Sequence, residues 1–595
     1  MHSSHDRPRP AGLITSDLLA LALLAPAAGH ADCHVKVAEL PVHMVGMRPM
    51  ATVGINGQDV PLMVDTGAFF SFLNEAAAAR LGLATHREPG LAVQGLTGRV
   101  VSRLTTVDHL ELSKGTIPDV DFIVGGNEIG SGAMGVIGRN LLNFADTEYD
   151  LAHGMIRFVF PNDECTKTSM AYWADDPATV ASVDLLHDFD RTFGRQALRA
   201  TAKLNGKDID VVFDSGATTT VTLDAAERAG VKESDMALQG LMYGAGRGSA
   251  REWTALFDRF ELGGERINHN RLEVGDFEME DGEMLLGVDF FLSHHLYVSA
   301  RQKKMYFTYN GGPVFMLNKA ASAPSAASAA AETLDADGFL RRGTASRARG
   351  DFAGALADLD RACALAPDNA ACFAARATVH NDLKQTDAAL ADLDVALRLD
   401  PALASARIGR AWMHHEGDED DATLADLAEL DRTLPPQSQI RSSMADLYAE
   451  LHMAAQVLAQ LDAWIQFHPH DIGLADAYGE RCWSRVRLDA ALDKALDDCE
   501  KAIDLDGKSA SFLDSRGWVR LRMRQWALAK SDFDKALAKD PETTTSLYGR
   551  SIAQARLGNA AASKVDLAAA RKLRPAIDEH MRELGLSANQ LGANP

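Results

Sequence analysis

Two aspartates carry the chemistry this sequence offers most clearly. Asp65 follows the apolar run Val60-Pro61-Leu62-Met63-Val64 and opens Asp65-Thr66-Gly67-Ala68, while Asp214 follows Ile209-Asp210-Val211-Val212-Phe213 and opens Asp214-Ser215-Gly216-Ala217. Each stretch reads as a strand feeding a tight turn. Alone, either fits a β-turn in which the Asp caps its own backbone. Together they say more. They lie 149 residues apart, and the same offset relates Asn56-Gly57 to Asn205-Gly206, Gly95 to Gly244, and Val136-Ile137-Gly138 to Leu285-Leu286-Gly287. A duplication into two lobes with no net insertion follows. If the lobes bring the two carboxyls together, the ionised one can take a proton from water while the protonated one gives a proton to a carbonyl oxygen, which hydrolyses an amide without metal or covalent intermediate. Like charges at hydrogen-bond distance disfavour double ionisation, so such a pair holds one proton and titrates as a unit.

Each lobe must position its Asp with the same ordered parts: an apolar strand, Asp-(Thr/Ser)-Gly-Ala, a glycine-containing hairpin, then two aliphatic residues and a glycine. The hairpins are Gln94-Gly95-Leu96-Thr97-Gly98 and Tyr243-Gly244-Ala245-Gly246. This order resembles the retropepsin-like aspartic proteases over residues 35–160 and 195–310. The resemblance implies a multi-domain chain whose N-terminal half is an all-β, two-lobed retropepsin/pepsin-like aspartic protease fold, with each aliphatic-aliphatic-Gly segment crossing beneath an Asp loop. It implies an aspartic endopeptidase with Asp65 and Asp214 as the catalytic dyad, a peptide or protein substrate, and no cofactor or metal. The Thr66 and Ser215 hydroxyls would bond across the lobe interface. Gly67 and Gly216 would let the backbone turn where a Cβ meets the partner Asp. Gly95, Gly98, Gly244 and Gly246 would form two flaps over the substrate, and Tyr243 is either a flap aromatic or an exposed hairpin residue. Phe69-Phe70 follows the first motif where Thr218-Thr219-Thr220 follows the second, so the two carboxyls need not be equivalent. The competing reading is a catalytically inactive double lobe that binds peptides or proteins as an adaptor.

The C-terminal half counts in thirty-fours. Prolines stand at 367, 401, 435 and 469, and again at 541 and 575, with Gly507 marking one repeat that is four residues longer. Within a repeat the pattern is helix, turn, helix, with small residues at close approaches and Pro closing the second helix. The period resembles the tetratricopeptide repeat (TPR) family over residues 334–585. The resemblance implies an all-α TPR solenoid of about seven helix pairs whose groove takes an extended peptide or a protein partner. The resulting expectation is a signal peptide over 1–31, lobes at 35–160 and 195–310 joined by 161–194, an Ala/Ser/Pro linker over 311–333, the array over 334–585 and a tail over 586–595.

Composition bounds the rest. The chain of 595 residues is 46% hydrophobic and carries a formal charge of −23, which argues against nucleic acid because phosphates repel an acidic surface. Its longest apolar run, Leu18 to Ala28, falls well short of the roughly 20 residues that cross a bilayer. That run follows Arg7 and Arg9 and ends in Ala27-Ala28-Gly29-His30-Ala31, the order of a secretory signal, so a periplasmic or secreted location is expected, with a cytoplasmic one as the alternative. The six cysteines fall into three possible disulfides, Cys33 with Cys165, Cys363 with Cys372, and Cys482 with Cys499, if the chain is exported; otherwise they are buried thiols. Gly130-Ser131-Gly132-Ala133-Met134-Gly135 fits a dinucleotide motif but lacks its βαβ context. His294-His295 and His414-His415 are adjacent pairs whose side chains point apart, which does not suit a metal site.

Overall fold

The computed structural model describes residues 25–26, 33–88, 92–95, 98–125, 132–186, 197–243, 249–279, 282–315, 317, 334–471, 473–507 and 509–588. They form two compact units, residues 1–399 and 400–595.

In the first unit, each lobe is a closed six-stranded barrel. The first runs in the order Arg48–Ile55, Gln58–Val64, Gly135–Ile137, Phe72–Leu73, Gly115–Val124, Arg103–Leu112, and closes by pairing Gly54 with Glu111. The second runs Arg199–Leu204, Lys207–Phe213, Met284–Leu286, Thr220–Thr222, Glu265–Gly275, Ser249–Leu262, and closes by pairing Leu204 with Phe260. The alternation along the strands explains the barrels: Val60, Leu62 and Val64, like Ile209, Val211 and Phe213, point into one shared core. In both lobes the first hairpin turns at Asn-Gly with both residues at positive φ, 50° and 78° at Asn56-Gly57 and 49° and 79° at Asn205-Gly206. That is the two-residue turn that suits strand twist. Each Asn also accepts from a later strand, Asn56 Oδ1 from His109 N at 3.0 Å and Asn205 Oδ1 from Arg259 N at 3.1 Å.

A third sheet joins the lobes. Asp146–Asp150 pairs antiparallel with His294–Ser299 across the seam, flanked by Met155–Pro161 and His34–Pro41 on one side and Lys304–Tyr309 and Ala181–Asp184 on the other. Glu148, 1% exposed, sits in this seam. It accepts from His295 Nε2 at 2.8 Å, from Arg157 Nη1 at 2.5 Å and from the Tyr172 hydroxyl. Burial alone would raise its pKa, but the bond and charge of His295, with Arg157 and Tyr172, hold it below the ordinary value. His294 points the other way, to Glu265 at 3.0 Å, as strand alternation requires. The Cys33–Cys165 disulfide ties the start of strand His34–Pro41 to the turn after Met155–Pro161.

Among the described residues the helical half comprises seven helix pairs from Ala336–Ala348 to Ala560–Leu573, followed by Ile577–Glu583. Prolines 367, 401, 435, 469, 541 and 575 each stand two residues beyond the end of a second helix, where a missing N–H costs nothing. The longer repeat does not insert a whole helical turn: its extra residues lie partly in the connection after Pro469 and partly in Leu474–Leu488, which has 15 residues. Cys482 and Cys499 bridge the two helices of that repeat. Cys363 and Cys372, expected as a third bridge if the chain is exported, are instead buried free thiols on either side of the short turn between Phe352–Leu365 and Ala370–Asp382. They pack in one apolar cluster with Ala362, Phe339, Leu340 and Phe373.

The first unit runs past the expected linker to Leu399. The reason is docking of Ala336–Ala348 on the first lobe. Ala345 and Ala348 join the lobes' core, and Met44 N donates to Thr344 Oγ1 at 3.3 Å. Among the described residues no helix is long and apolar enough to cross a membrane.

Candidate active site

Asp65 and Asp214 stand at the ends of strands Gln58–Val64 and Lys207–Phe213. Beneath each, the aliphatic pair runs parallel to that strand, Ile137 beside Val64 and Leu286 beside Phe213. Asp65 N donates to Ile137 O at 3.1 Å and Asp214 N to Leu286 O at 3.0 Å. The glycines that end these segments are forced: a Cβ on Gly138 would lie 2.5 Å from Phe70 backbone, and one on Gly287 would lie 2.4 Å from Thr218 backbone.

Across the interface Thr66 and Ser215 form a reciprocal lock. Thr66 N donates to Ser215 Oγ at 3.1 Å and Ser215 N to Thr66 Oγ1 at 2.9 Å. Each hydroxyl then donates deeper into the opposite lobe, Thr66 Oγ1 to Phe213 O at 2.8 Å and Ser215 Oγ to Val64 O at 2.9 Å. Both residues are almost fully buried, so every one of these groups finds its partner in protein.

Beside this lock each carboxyl lies against the glycine of the opposite loop, Asp214 at Gly67 and Asp65 at Gly216. Asp65 Oδ1 accepts from Gly67 N at 2.8 Å and Ala68 N at 2.9 Å, and Asp214 Oδ1 accepts from Gly216 N at 2.9 Å. The Asp214 carboxyl is pushed well above the ordinary value, first by burial, then by the Asp65 charge and the hydrogen bond between the two side chains. Donation from Gly216 N and the positive charge of Arg139 oppose this without cancelling it.

Of the other expected site residues, Gly95 and Gly98 pair at the tip of a two-stranded hairpin, Ala92–Gly95 with Gly98–Val101. Tyr243 pairs with Ser249 at the end of the hairpin Ala237–Tyr243 with Ser249–Leu262. Gly244 and Gly246 lie outside the described residues.

Sequence reasoning missed a second lock below each Asp loop. Ser71 donates through N and Oγ to Asn140 Oδ1 at 2.7 and 2.8 Å and receives Gly138 N at 2.9 Å. In the second lobe Thr219 Oγ1 donates to Asp289 Oδ1 at 2.5 Å and receives Gly287 N at 2.8 Å. The readable signal is a polar residue two places after each aliphatic-Gly segment. The hydroxyl itself was hidden because Ser71 lies six residues after its Asp and Thr219 five after its own. The uniform 149-residue correspondence therefore slips by one within the loop and recovers before Gly138 and Gly287.

Residues 51–141 and 200–290 each match the family model described as aspartyl protease. No curated protein matches the chain. Among solved structures, the helical half is similar to the APC/C hetero-tetramer Cut9–Hcn1, with 13% identity, TM-score 0.29, and 37% of this chain and 42% of that one covered. The chain thus spans less than half of that neighbour's length. It is also similar to YrrB, titled a TPR protein with an unusual peptide-binding site, with 15% identity, TM-score 0.23, and 38% and 97% covered. A tetratricopeptide repeat protein from Parabacteroides merdae ATCC 43184 gives 17% identity, TM-score 0.30, and 44% and 99% covered.

Proposed function

From two aspartyl protease-like lobes carried by one chain, we propose that the N-terminal half is an aspartic endopeptidase whose dyad, Asp65 and Asp214, is assembled within a single polypeptide. The observation that carries this reading is the close approach of the two Asp loops, with Gly67 standing against the Asp214 carboxyl and Gly216 against the Asp65 carboxyl, since two carboxyls close enough to share one proton are what general acid and general base work on one water requires. The pair holds its one proton as a unit; when that proton starts on Asp214, Asp65 acts as the base. A water between them loses a proton to Asp65 and attacks the peptide carbonyl carbon, while Asp214 protonates the carbonyl oxygen. Collapse of the tetrahedral diol returns that proton to Asp214, and the proton held by Asp65 leaves with the amine. Thr66 and Ser215 keep the loops rigid, and the hairpins bearing Gly95, Gly98, Tyr243, Gly244 and Gly246 cover the substrate.

The helical half recruits a peptide or protein partner, and the chain works in the periplasm or outside the cell, where its disulfides persist. The deciding experiment incubates the purified chain, Asp65→Asn and Asp214→Asn with a diverse peptide pool at several pH values. Cleavage by the native chain alone supports the reading, whereas equal cleavage, or none, by all three removes it.

A further inference from the structure

The two walls beside the dyad are built from equivalent positions but of different chemistry. Along each Asp-bearing strand the side chains alternate. Val64 and Phe213 enter the barrel core, while Met63 and Val212 point the other way. Met63 clusters with Val136, Phe72 and Ala68 of the first Asp loop, and Val212 clusters with Leu285 and Ala217 of the second. Both faces therefore adjoin the Asp loops, through Ala68 and Ala217.

Strand register then matches the walls residue by residue. In the first lobe Phe72 lies beside Val136 and Ile123, and Ile123 beside Leu104. In the second, Thr220 lies beside Leu285 and Glu273, and Glu273 beside Thr254. The apolar trio Phe72, Ile123 and Leu104 is thus replaced by Thr220, Glu273 and Thr254. Glu273 faces away from the core that takes its neighbours Leu272 and Val274. Its Oε2 accepts from Thr218 Oγ1 at 2.7 Å and Thr220 Oγ1 at 3.2 Å, which fixes the carboxylate while leaving acceptor positions open, since an ionised carboxylate offers about four. Glu252, two residues from Thr254 on the same strand face, lies close enough that the Glu273 charge, after partial burial, raises its carboxyl.

We propose that the cleft is two-faced, and that it binds peptides presenting a bulky apolar side chain to the first-lobe wall and a lysine or arginine to the carboxylate of Glu273 on the second. The inference rests on the peptidase reading for its setting, but it concerns recognition and is tested separately from turnover. An apolar chain at the second wall would strip Glu273 of water without giving it a partner, a cost a cation avoids.

Two measurements decide it. The full-length Asp65→Asn chain is titrated with fluorescent decapeptides that are identical except for lysine, norleucine, glutamine or glutamate at one scanned position, read by anisotropy. At one position lysine is expected to bind about tenfold more tightly than norleucine, about 1.4 kcal/mol, with glutamate weakest. Adding Glu273→Gln, which keeps the shape and an acceptor for the threonines, brings lysine and norleucine within about twofold. Glu252→Gln gives a smaller loss and serves where Glu273→Gln fails to fold. Equal affinity for lysine and norleucine at every position, or a lysine preference that survives both substitutions, overturns the proposal. The second measurement maps cleavage sites of the native chain and Glu273→Gln by mass spectrometry. Enrichment of basic residues on one side of the scissile bond, lost in the variant, is the expected result, and no enrichment counts against the subsite. A native chain that cleaves nothing yet prefers lysine in the binding assay rejects the peptidase and keeps the subsite.

Discussion

Gly67 of the first lobe stands directly against the carboxyl of Asp214 in the second: a Cβ there would lie 2.4 Å from Cγ. Gly216 stands likewise against Asp65, at 2.5 Å. Neither contact is to a flexible chain end, because each carboxyl is already held by backbone N–H groups of its own loop. A methyl must therefore push the two carboxyls apart or open the Thr66–Ser215 lock. Gly67→Ala and Gly216→Ala are expected to lower kcat/KM on peptides by about 10²-fold or more, the scale of a 1 Å misplacement in a reacting pair. Near-native activity in both would show that the close approach is not needed for the chemistry.

Asp214 gives a stability test as well as an activity test. Its native pKa is raised, so between the ordinary carboxyl value and that raised value the native state binds more protons than the unfolded chain. Stability from this group is then intact at low pH and falls as pH rises through that window. Asn carries no proton and lacks the slope. Asp214→Asn should be inactive yet melt higher than the native chain at neutral pH, with the difference closing near pH 3. For a domain of about 150–250 residues each kcal/mol corresponds to about 2–4 °C. A variant that melts lower than native at neutral pH would contradict the strained pair. By the same sign, activity should be greatest in acid and decline as the shared proton is lost.

How far these features could be read from sequence depended on whether they repeat. Asp65 and Asp214, the Asn-Gly turns at 56 and 205, and the prolines at 34-residue intervals announced themselves because each appears at least twice in one register. Ser71 and Thr219 do the same job from unequal distances, so a uniform offset hid them. The Glu148–His295 seam was invisible for a different reason: it joins strands 147 residues apart with no matching pattern. Cys363 and Cys372 lie on either side of a turn as free thiols, and sequence spacing alone does not choose between a bridge and two buried thiols.

The cysteines give a countable outcome. Two disulfides and two buried thiols mean that the unreduced chain should release two titratable thiols to an aromatic disulfide reagent in denaturant and none when folded. Zero in denaturant would indicate a third bridge, and four or six would remove one or both of the others. Cys33→Ser should destabilise the double lobe: the bridge closes a separation of 132 residues, for which loop-closure entropy gives about 4–5 kcal/mol as an upper figure. Cys482→Ser, across 17 residues, should cost about 3 kcal/mol on the same basis. Denaturant melts with and without reductant measure both.

The helical half is held by a ladder of ion pairs whose period was legible but unread. Arg342, Arg376, Arg410, Arg481, Arg516 and Arg550, each on the first helix of a pair, bond Asp358, Asp392, Asp426, Asp498, Asp532 and Asp566 on the second. One repeat departs from this. Met444 and Gln460 occupy the places of Arg410 and Asp426 one period later, and Gln460 accepts from Arg441 Nη1 at 2.6 Å instead. The paired loss of both charges is what electrostatics demands, because a buried guanidinium or carboxylate without its partner costs more than the pair contributes. Arg376 and Asp392 provide the test, with Nε and Nη2 bonding the carboxylate at 2.8 and 2.7 Å and Asp392 buried. Asp392→Gln alone should cost about 3–5 kcal/mol in urea denaturation. Arg376→Met with Asp392→Gln, which reproduces the composition of the departing repeat, should cost less than half as much. Additive losses in the double variant would mean that the pairs act independently, and that the natural gap at Met444 reflects something other than charge balance.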